Sequence, residues 1–110
     1  MSESKHRGRS RAHKDHQLCR QVADAITWFL ADVDDPLLAD LTVLIATPAP
    51  TAARVMVTLV GGDDVDVATA HAALGNYVDE LREEVAAEIH RRHVPALAFR
   101  VTRRSDHDTV

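Results

Sequence analysis

The longest apolar repeat in the chain extends from Val67 to about His93, and a glycine interrupts it at position 75. Its apolar residues recur three or four positions apart, which places them on one face of an α-helix. They are Leu74, Val78, Leu81, Val85 and Ile89. A glycine inside a helix costs about 1 kcal/mol relative to alanine, and it allows the helix axis to change direction. The repeat therefore predicts a kinked helix, or two helices that meet at Gly75, with Pro95 stopping the second.

A second repeat predicts a helix nearer the start of the chain. Its apolar stripe consists of Leu18, Val22, Ile26, Phe29 and Val33. Proline disfavours helix in the residue before it, so Pro36 is expected to end this helix at about residues 34–35. Trp28 lies off the centre of the stripe. It is either a boundary residue half covered by a neighbour or a residue for base stacking or partner binding.

Three further segments are rich in β-branched residues or alternate between apolar and polar residues, which is typical of strands. They are residues 41–46, 53–60 and 96–101. The predicted order is α-β-β-α-β, an α+β fold in which helices cover one face of a three-stranded sheet. If the last two strands are parallel, the crossover through the long helix should be right-handed.

A length of 110 residues fits a single domain. Residues 1–13 are polar and are expected to be a disordered basic arm, residues 14–104 to form the domain, and residues 105–110 to be a polar tail. One cysteine excludes an internal disulfide and suits a reducing compartment. No stretch is apolar enough to span a membrane, and the first residues lack the apolar core of a signal peptide. We therefore expect a cytoplasmic protein.

The net charge of −4 conceals a polarised chain. Residues 1–20 carry six basic and two acidic side chains, whereas residues 21–80 carry one basic and ten acidic side chains. Residues 81–110 carry six arginines and five acidic side chains. Because a nucleic acid reads local rather than total charge, the acidic average does not exclude RNA.

Few residues suit catalysis or metal binding. Serine occurs only at positions 2, 4, 10 and 105, all in the predicted tails, so the predicted domain contains no serine nucleophile. His13, His16 and Cys19 have a metal-like spacing, but on one helix they diverge around the axis and could share a metal only if His13 lay outside it. Solvated histidines and a packing cysteine are the simpler interpretation. The sequence predicts no enzyme and implies no cofactor.

A basic cluster closes the long helix at residues 90–93 (His-Arg-Arg-His). It can complement the negative end of the helix dipole, which is a structural role. It can also join other arginines near it in sequence, Arg82, Arg100, Arg103 and Arg104, in binding phosphates, because the guanidinium fork matches a phosphate. The low aromatic content of 4% argues against base stacking and favours backbone recognition of structured RNA.

Several segments together resemble the ribosome-binding factor A family. They are residues 20–22 (Arg-Gln-Val), 35–37 (Asp-Pro-Leu), 41–43 (Leu-Thr-Val), 53–57 (Ala-Arg-Val-Met-Val), 73–75 (Ala-Leu-Gly), 81–84 (Leu-Arg-Glu-Glu) and 91–99 (Arg-Arg-His-Val-Pro-Ala-Leu-Ala-Phe). The resemblance spans residues 20–99 in the order found in the family. The Ala-Leu-Gly triplet matches the kink that replaces the Gly-x-x-Gly loop of ordinary KH domains, and the last segment matches the strongest motif of the family.

The resemblance implies a type II KH-like fold with a kinked second helix on the sheet. It also implies a non-enzymatic ribosome assembly factor that binds the immature small ribosomal subunit and its rRNA and assists rRNA maturation. DNA and membranes are not implied as partners, and the free protein is expected to be a monomer. The RNA-binding residues it implies are Ala73, Leu74, Gly75 and Asn76 at the kink and the arginines Arg82, Arg91, Arg92 and Arg100.

Other functions remain open at this point. The chain could be a KH-like RNA-binding module, or a protein-interaction module, outside ribosome assembly. A small metal-dependent or acid–base enzyme that uses the histidines is a further alternative, although no nucleophile–base pair is readable in the sequence.

Overall fold

The predicted element order α-β-β-α-β is confirmed by a computed structural model, which describes residues 2–49, 53–89 and 94–108. The predicted interrupted helix is two helices, and two short helices are added to the predicted set. The elements are α1 (Ser2–Asp32), α2 (Pro36–Ala39), β1 (Thr42–Pro48), β2 (Arg54–Gly61), α3 (Val67–Gly75), α4 (Val78–Ile89), β3 (Ala96–Arg103) and α5 (Arg104–Asp108).

The three strands form one sheet in the order β1-β2-β3. Strand β2 pairs antiparallel with β1 and parallel with β3, so α3 and α4 form the crossover between the two parallel strands. The register of β1 shifts between Val43 and Ile45, a bulge that leaves Leu44 exposed. Alternation in β2 is strict, with Val55, Val57 and Leu59 fully buried on one face.

The helices cover that face of the sheet and form a single core with it. Helix α1 contributes its predicted stripe, of which Leu18, Val22 and Ile26 are buried, while Phe29 and Val33 pack against the edge of the core. Helix α4 contributes Leu81, Val85 and Ile89, and α3 contributes Ala70, Ala73 and Leu74. The opposite face of the sheet carries no helix among the described residues.

Both terminal segments contain helix in the structure. Helix α1 begins at Ser2, and Met1 lies outside the described residues. The division into an arm at residues 1–13, a domain at residues 14–104 and a tail at residues 105–110 stays a prediction. A residue added to an existing helix gains one hydrogen bond without the cost of forming a new helix nucleus. The expected polar tail likewise contains α5, and the Ser105 backbone N–H donates to Asp63 Oδ1 at 3.2 Å.

The described part of the chain contains no helix that is both long and apolar enough to cross a membrane.

Candidate nucleic-acid interface

A two-residue turn joins α3 to α4 at the predicted kink. Helix α3 ends at Gly75, and the N–H of Asn76 donates to the carbonyl of Ala73 at 3.1 Å. The N–H of Tyr77 donates to the carbonyl of Leu74 at 3.0 Å, and the N–H of Leu81 donates to the carbonyl of Tyr77 at 2.8 Å. The prediction of two helices meeting near Gly75 is therefore confirmed.

The four residues proposed at the kink divide into two pairs. Ala73 and Leu74 are 4% and 0% exposed, so their side chains belong to the core. Gly75 and Asn76 are exposed. A Cβ atom added at Gly75 would meet nothing within 4 Å, so the backbone at this position is open to a close approach from outside. The accessible part of the kink is thus the backbone of Gly75 and the amide of Asn76.

Tyr77 fixes the position of this turn. Its hydroxyl donates to Asp35 Oδ2 at 2.9 Å, and Asp35 Oδ1 accepts the N–H of Leu37 at 2.9 Å, capping α2. The ring also meets Phe29 of α1 edge-on, with centroids 5.7 Å apart. The hydrogen bond to Asp35 raises the pKa of Tyr77 above its ordinary value, and partial burial and the charges of Asp35 and Glu80 act in the same direction.

The structure does not bring Arg82 and Arg100 onto one surface. Arg82 follows the buried Leu81 and is exposed on the outer side of α4, near the acidic residues of that helix. Arg100 is exposed on β3 and lies opposite Thr58, on the face of the sheet that points away from the helices. Arg91 and Arg92 lie outside the described residues, in the connection between Ile89 and Val94.

The face of the sheet around Arg100 has a composition of its own. We call it the helix-free sheet face. It consists of Thr42, Ile45, Thr47, Arg54, Met56, Thr58, Val60, Ala96, Ala98, Arg100 and Thr102. Two arginines and four threonines but no carboxylates stand at these described positions. In a chain of net charge −4, this is a surface on which an anion meets no repulsion from its nearest neighbours.

Arg54 is the residue on this face that sequence reasoning missed as a site. It opens β2 directly beside Ala96, the first residue of β3, and the Ala96 N–H donates to the Ala53 carbonyl at 3.0 Å. The available signal was that Arg54 is the single basic residue of the acidic stretch 21–80.

The residues with metal-like spacing have different environments. Cys19 is 4% exposed and belongs to the core, whereas His16 is exposed. The side chain of His13 lies outside the described set. Across the described side chains, no group of three His, Cys, Asp or Glu residues could hold a metal ion.

A three-stranded mixed sheet with its helices on one face, and a helix broken by a short turn before the last strand, places this structure among the KH-like α+β folds. Among solved structures, it is similar to ribosome-binding factor A from Thermus thermophilus, with a TM-score of 0.66 and 24% sequence identity. The match covers 81% of this chain and 92% of the other. The predicted resemblance is thus confirmed at the level of the fold. No family model and no curated protein sequence matches the chain.

Proposed function

We propose that this protein is a ribosome assembly factor that binds the immature small ribosomal subunit and its rRNA and assists rRNA maturation. The observation that carries the proposal is the likeness of fold to ribosome-binding factor A, which extends over 81% of this chain. The sequence motifs at residues 73–75 and 91–99, which resemble motifs of the same family, also support it.

The kink supplies a place for close RNA approach. The open backbone of Gly75 and the exposed amide of Asn76 can meet a sugar–phosphate backbone without steric hindrance from a Cβ atom. Ala73 and Leu74 serve this site indirectly, because their burial anchors the end of α3 in the core. We assign contact to Gly75 and Asn76, and positioning to Ala73 and Leu74.

The helix-free sheet face supplies positive charge and hydroxyl groups for phosphates. Arg100 and Arg54 are exposed on it, and the threonines add donors and acceptors. Arg91 and Arg92, which lie outside the described residues and precede β3 in sequence, are proposed to contribute further charge to RNA binding. Arg82, on the helical side, is proposed as a separate contact close to the kink.

The proposed role is binding without catalysis. The groups assigned to RNA are guanidinium groups, an amide and backbone, which hold phosphates but provide no nucleophile or general base at neutral pH. No cofactor enters the proposal. The partners are the small subunit and its rRNA rather than DNA or a membrane, the free protein is a monomer, and its location is the cytoplasm.

Co-sedimentation of the purified protein with ribosomal particles tests this function. We expect salt-sensitive association with free small subunits and little association with assembled ribosomes. A variant with Arg54→Gln and Arg100→Gln should bind less, and Arg20→Gln on α1, which removes one positive charge from the helical side, serves as a control. Absence of association with small subunits at low salt would contradict the assembly role and leave the fold standing.

The same experiment separates the alternative of an RNA-binding module outside ribosome assembly. Such a module would bind free RNA in a salt-sensitive way but would not distinguish immature small subunits from other ribosomal particles.

A further inference from the structure

Trp28 is the only tryptophan of the chain, and 69% of its surface is exposed. Trp28 is therefore less covered than the half-covered boundary residue that was one of its two interpretations. An indole has a large apolar surface and a single N–H donor. Its exposure leaves this apolar surface in contact with water, and burial against a partner would be favourable. This exposure favours the other interpretation of Trp28, a residue that binds a partner.

A groove lies beside Trp28 between the end of α1 and the first half of α4. It has a volume of about 620 Å³ and is lined by Trp28, Phe29, Ala31, Asp32, Val33, Glu80 and Glu84. A second cavity of about 280 Å³ shares three of these residues and adds two others, Glu83 and Ala87. The two together form a strip along α4, which we call the Trp28 groove.

The wall of the Trp28 groove is held in place by contacts already described. Phe29 is fixed edge-on against Tyr77, and Tyr77 is hydrogen-bonded to Asp35. On the other side, Glu80 and Glu84 flank the buried Leu81 on α4. A groove whose walls are already ordered loses little conformational entropy when it is filled.

The charge of the groove defines what can fill it. Four carboxylates line it, those of Asp32, Glu80, Glu83 and Glu84, and no cationic side chain does so among the described lining residues. Phosphates would be repelled, so RNA is a poor occupant. A guanidinium or ammonium group would be attracted by the carboxylates and could also lie over the face of the Trp28 indole.

From these observations, we propose that the Trp28 groove binds an extended, arginine- and lysine-bearing segment of a protein partner. From Glu80 to Ala87, α4 rises about 10 Å, which matches about three residues of an extended chain. One or two cationic side chains would meet the carboxylates while the peptide stem covers Phe29 and Val33. The groove belongs to the helical layer, so this partner does not compete with RNA on the helix-free sheet face.

Trp28 fluorescence provides a direct test on the intact protein. The probe is a nine-residue peptide of alternating Gly and Arg, acetylated and amidated, and the control is the same peptide with Glu in place of Arg. The Arg peptide should produce a saturable change in Trp28 emission that weakens with added salt, and the Glu peptide should produce none.

Variants separate the groove from general attraction to an acidic protein. Glu80→Gln with Glu84→Gln should weaken binding of a fluorescein-labelled Arg peptide about fivefold, as expected for the loss of two partly exposed ion pairs. Trp28→Ala should weaken it by a similar factor. Asp40→Asn with Asp64→Asn removes the same charge from exposed positions outside the groove and should leave binding unchanged.

Three results would overturn the proposal. The Arg peptide could fail to bind, or the Asp40/Asp64 variant could lose as much affinity as the groove variant. Trp28 emission could instead change with protein concentration in the absence of peptide, which would identify a second copy of this chain as the occupant. None of these results depends on RNA, so they test the groove proposal separately from the proposed function.

Discussion

Tyr77 and Asp35 are joined by a 2.9 Å hydrogen bond between the phenol and the carboxylate, although the strands β1 and β2 separate them in sequence. Tyr77 belongs to the turn between α3 and α4, and Asp35 precedes α2. Because the carboxylate also caps α2, a single residue ties the connection after α1 to the kink. The orientation of the proposed RNA-contacting turn therefore depends on a residue far from it in the chain.

Replacement of Tyr77 by Phe should lower the midpoint of thermal unfolding at neutral pH, because the carboxylate of Asp35 loses a donor. At alkaline pH, by contrast, the stability of Tyr77→Phe should fall less than that of the wild type. The raised pKa of Tyr77 means that the protonated phenol favours the folded state. This stability is complete below the ordinary pKa of 10.0 and is lost as the pH rises through the folded value.

Thermal unfolding followed by circular dichroism from about pH 9 to about pH 11 measures this difference. The wild type should lose more stability over this range than Tyr77→Phe. Asp35→Asn is the matched control, since asparagine can still cap α2 through Oδ1 but has an NH₂ group in place of the oxygen that accepts the phenol hydrogen bond and raises the pKa of Tyr77. Parallel curves for wild type and Tyr77→Phe would show that the hydrogen bond does not shift this group.

The adjacent glycines Gly61 and Gly62, at the end of β2, should respond differently to alanine. A Cβ atom at Gly61 would stand 2.6 Å from Cγ2 of Val65, whereas one at Gly62 would meet nothing within 4 Å. Gly61→Ala should destabilise the protein by about 1–3 kcal/mol, the usual cost of overpacking. Gly62→Ala should change stability little. Urea unfolding of the two variants decides the matter, and equal stabilities would contradict the expected clash with Val65.

At the kink, Gly75→Ala should separate folding from binding. The space around Gly75 is open, and alanine is the better helix former, so the midpoint of unfolding should be unchanged or higher. If RNA approaches this backbone closely, the added methyl group should weaken binding to small subunits. Ala72→Gly, at an exposed position one turn earlier in α3, controls for helix stability alone. Full binding by a stable Gly75→Ala variant would remove Gly75 from the contact surface.

The helix-free sheet face predicts a change in salt dependence. Each phosphate that the protein no longer neutralises should reduce the slope of log K against log salt by about 0.7–0.9. Arg54→Gln with Arg100→Gln should therefore flatten the slope by about 1.5 for rRNA measured by filter binding. Arg20→Gln, on the helical layer, should leave it unchanged. A double variant with the wild-type slope would exclude the sheet face from the surface that binds RNA.

Arg91 and Arg92 can be tested in the same assay although they lie outside the described residues. Arg91→Ala with Arg92→Ala should weaken RNA binding and flatten the slope by about one to two units. Combining these changes with Arg54→Gln should give a smaller than additive loss if the arginines share a phosphate, because coupled interactions do not add. An unchanged slope would remove Arg91 and Arg92 from the surface that binds RNA.

Periodicity in the sequence was sufficient to predict the core and the element order. The repeats ending at Val33 and Ile89 bury residues on the expected faces, and Gly75 marks a true helix boundary. The positions of the charged side chains in the fold could not be predicted from periodicity. Arg82 and Arg100 are both outward-facing by pattern, but only the sheet register shows that they point to opposite sides of the molecule.

The environment of individual residues could also not be predicted from the sequence. Trp28 lies next to the stripe of α1, and its coverage depends on how far α4 extends beside it, which no local pattern encodes. The helical state of residues 2–13 has the same origin, because composition predicts solvation and not whether a neighbouring helix will propagate.

The parallel pairing of β2 with β3 has a consequence for the order of folding. The β1–β2 hairpin can close as soon as its own residues are available, since its strands are near neighbours in sequence. Pairing of Arg54 with Ala96 closes a loop that contains the whole α3–α4 crossover. Formation of the β2–β3 ladder therefore has the larger loop-closure entropy cost. We expect β3 to join last, which makes the rate of sheet completion sensitive to the kink rather than to the hairpin.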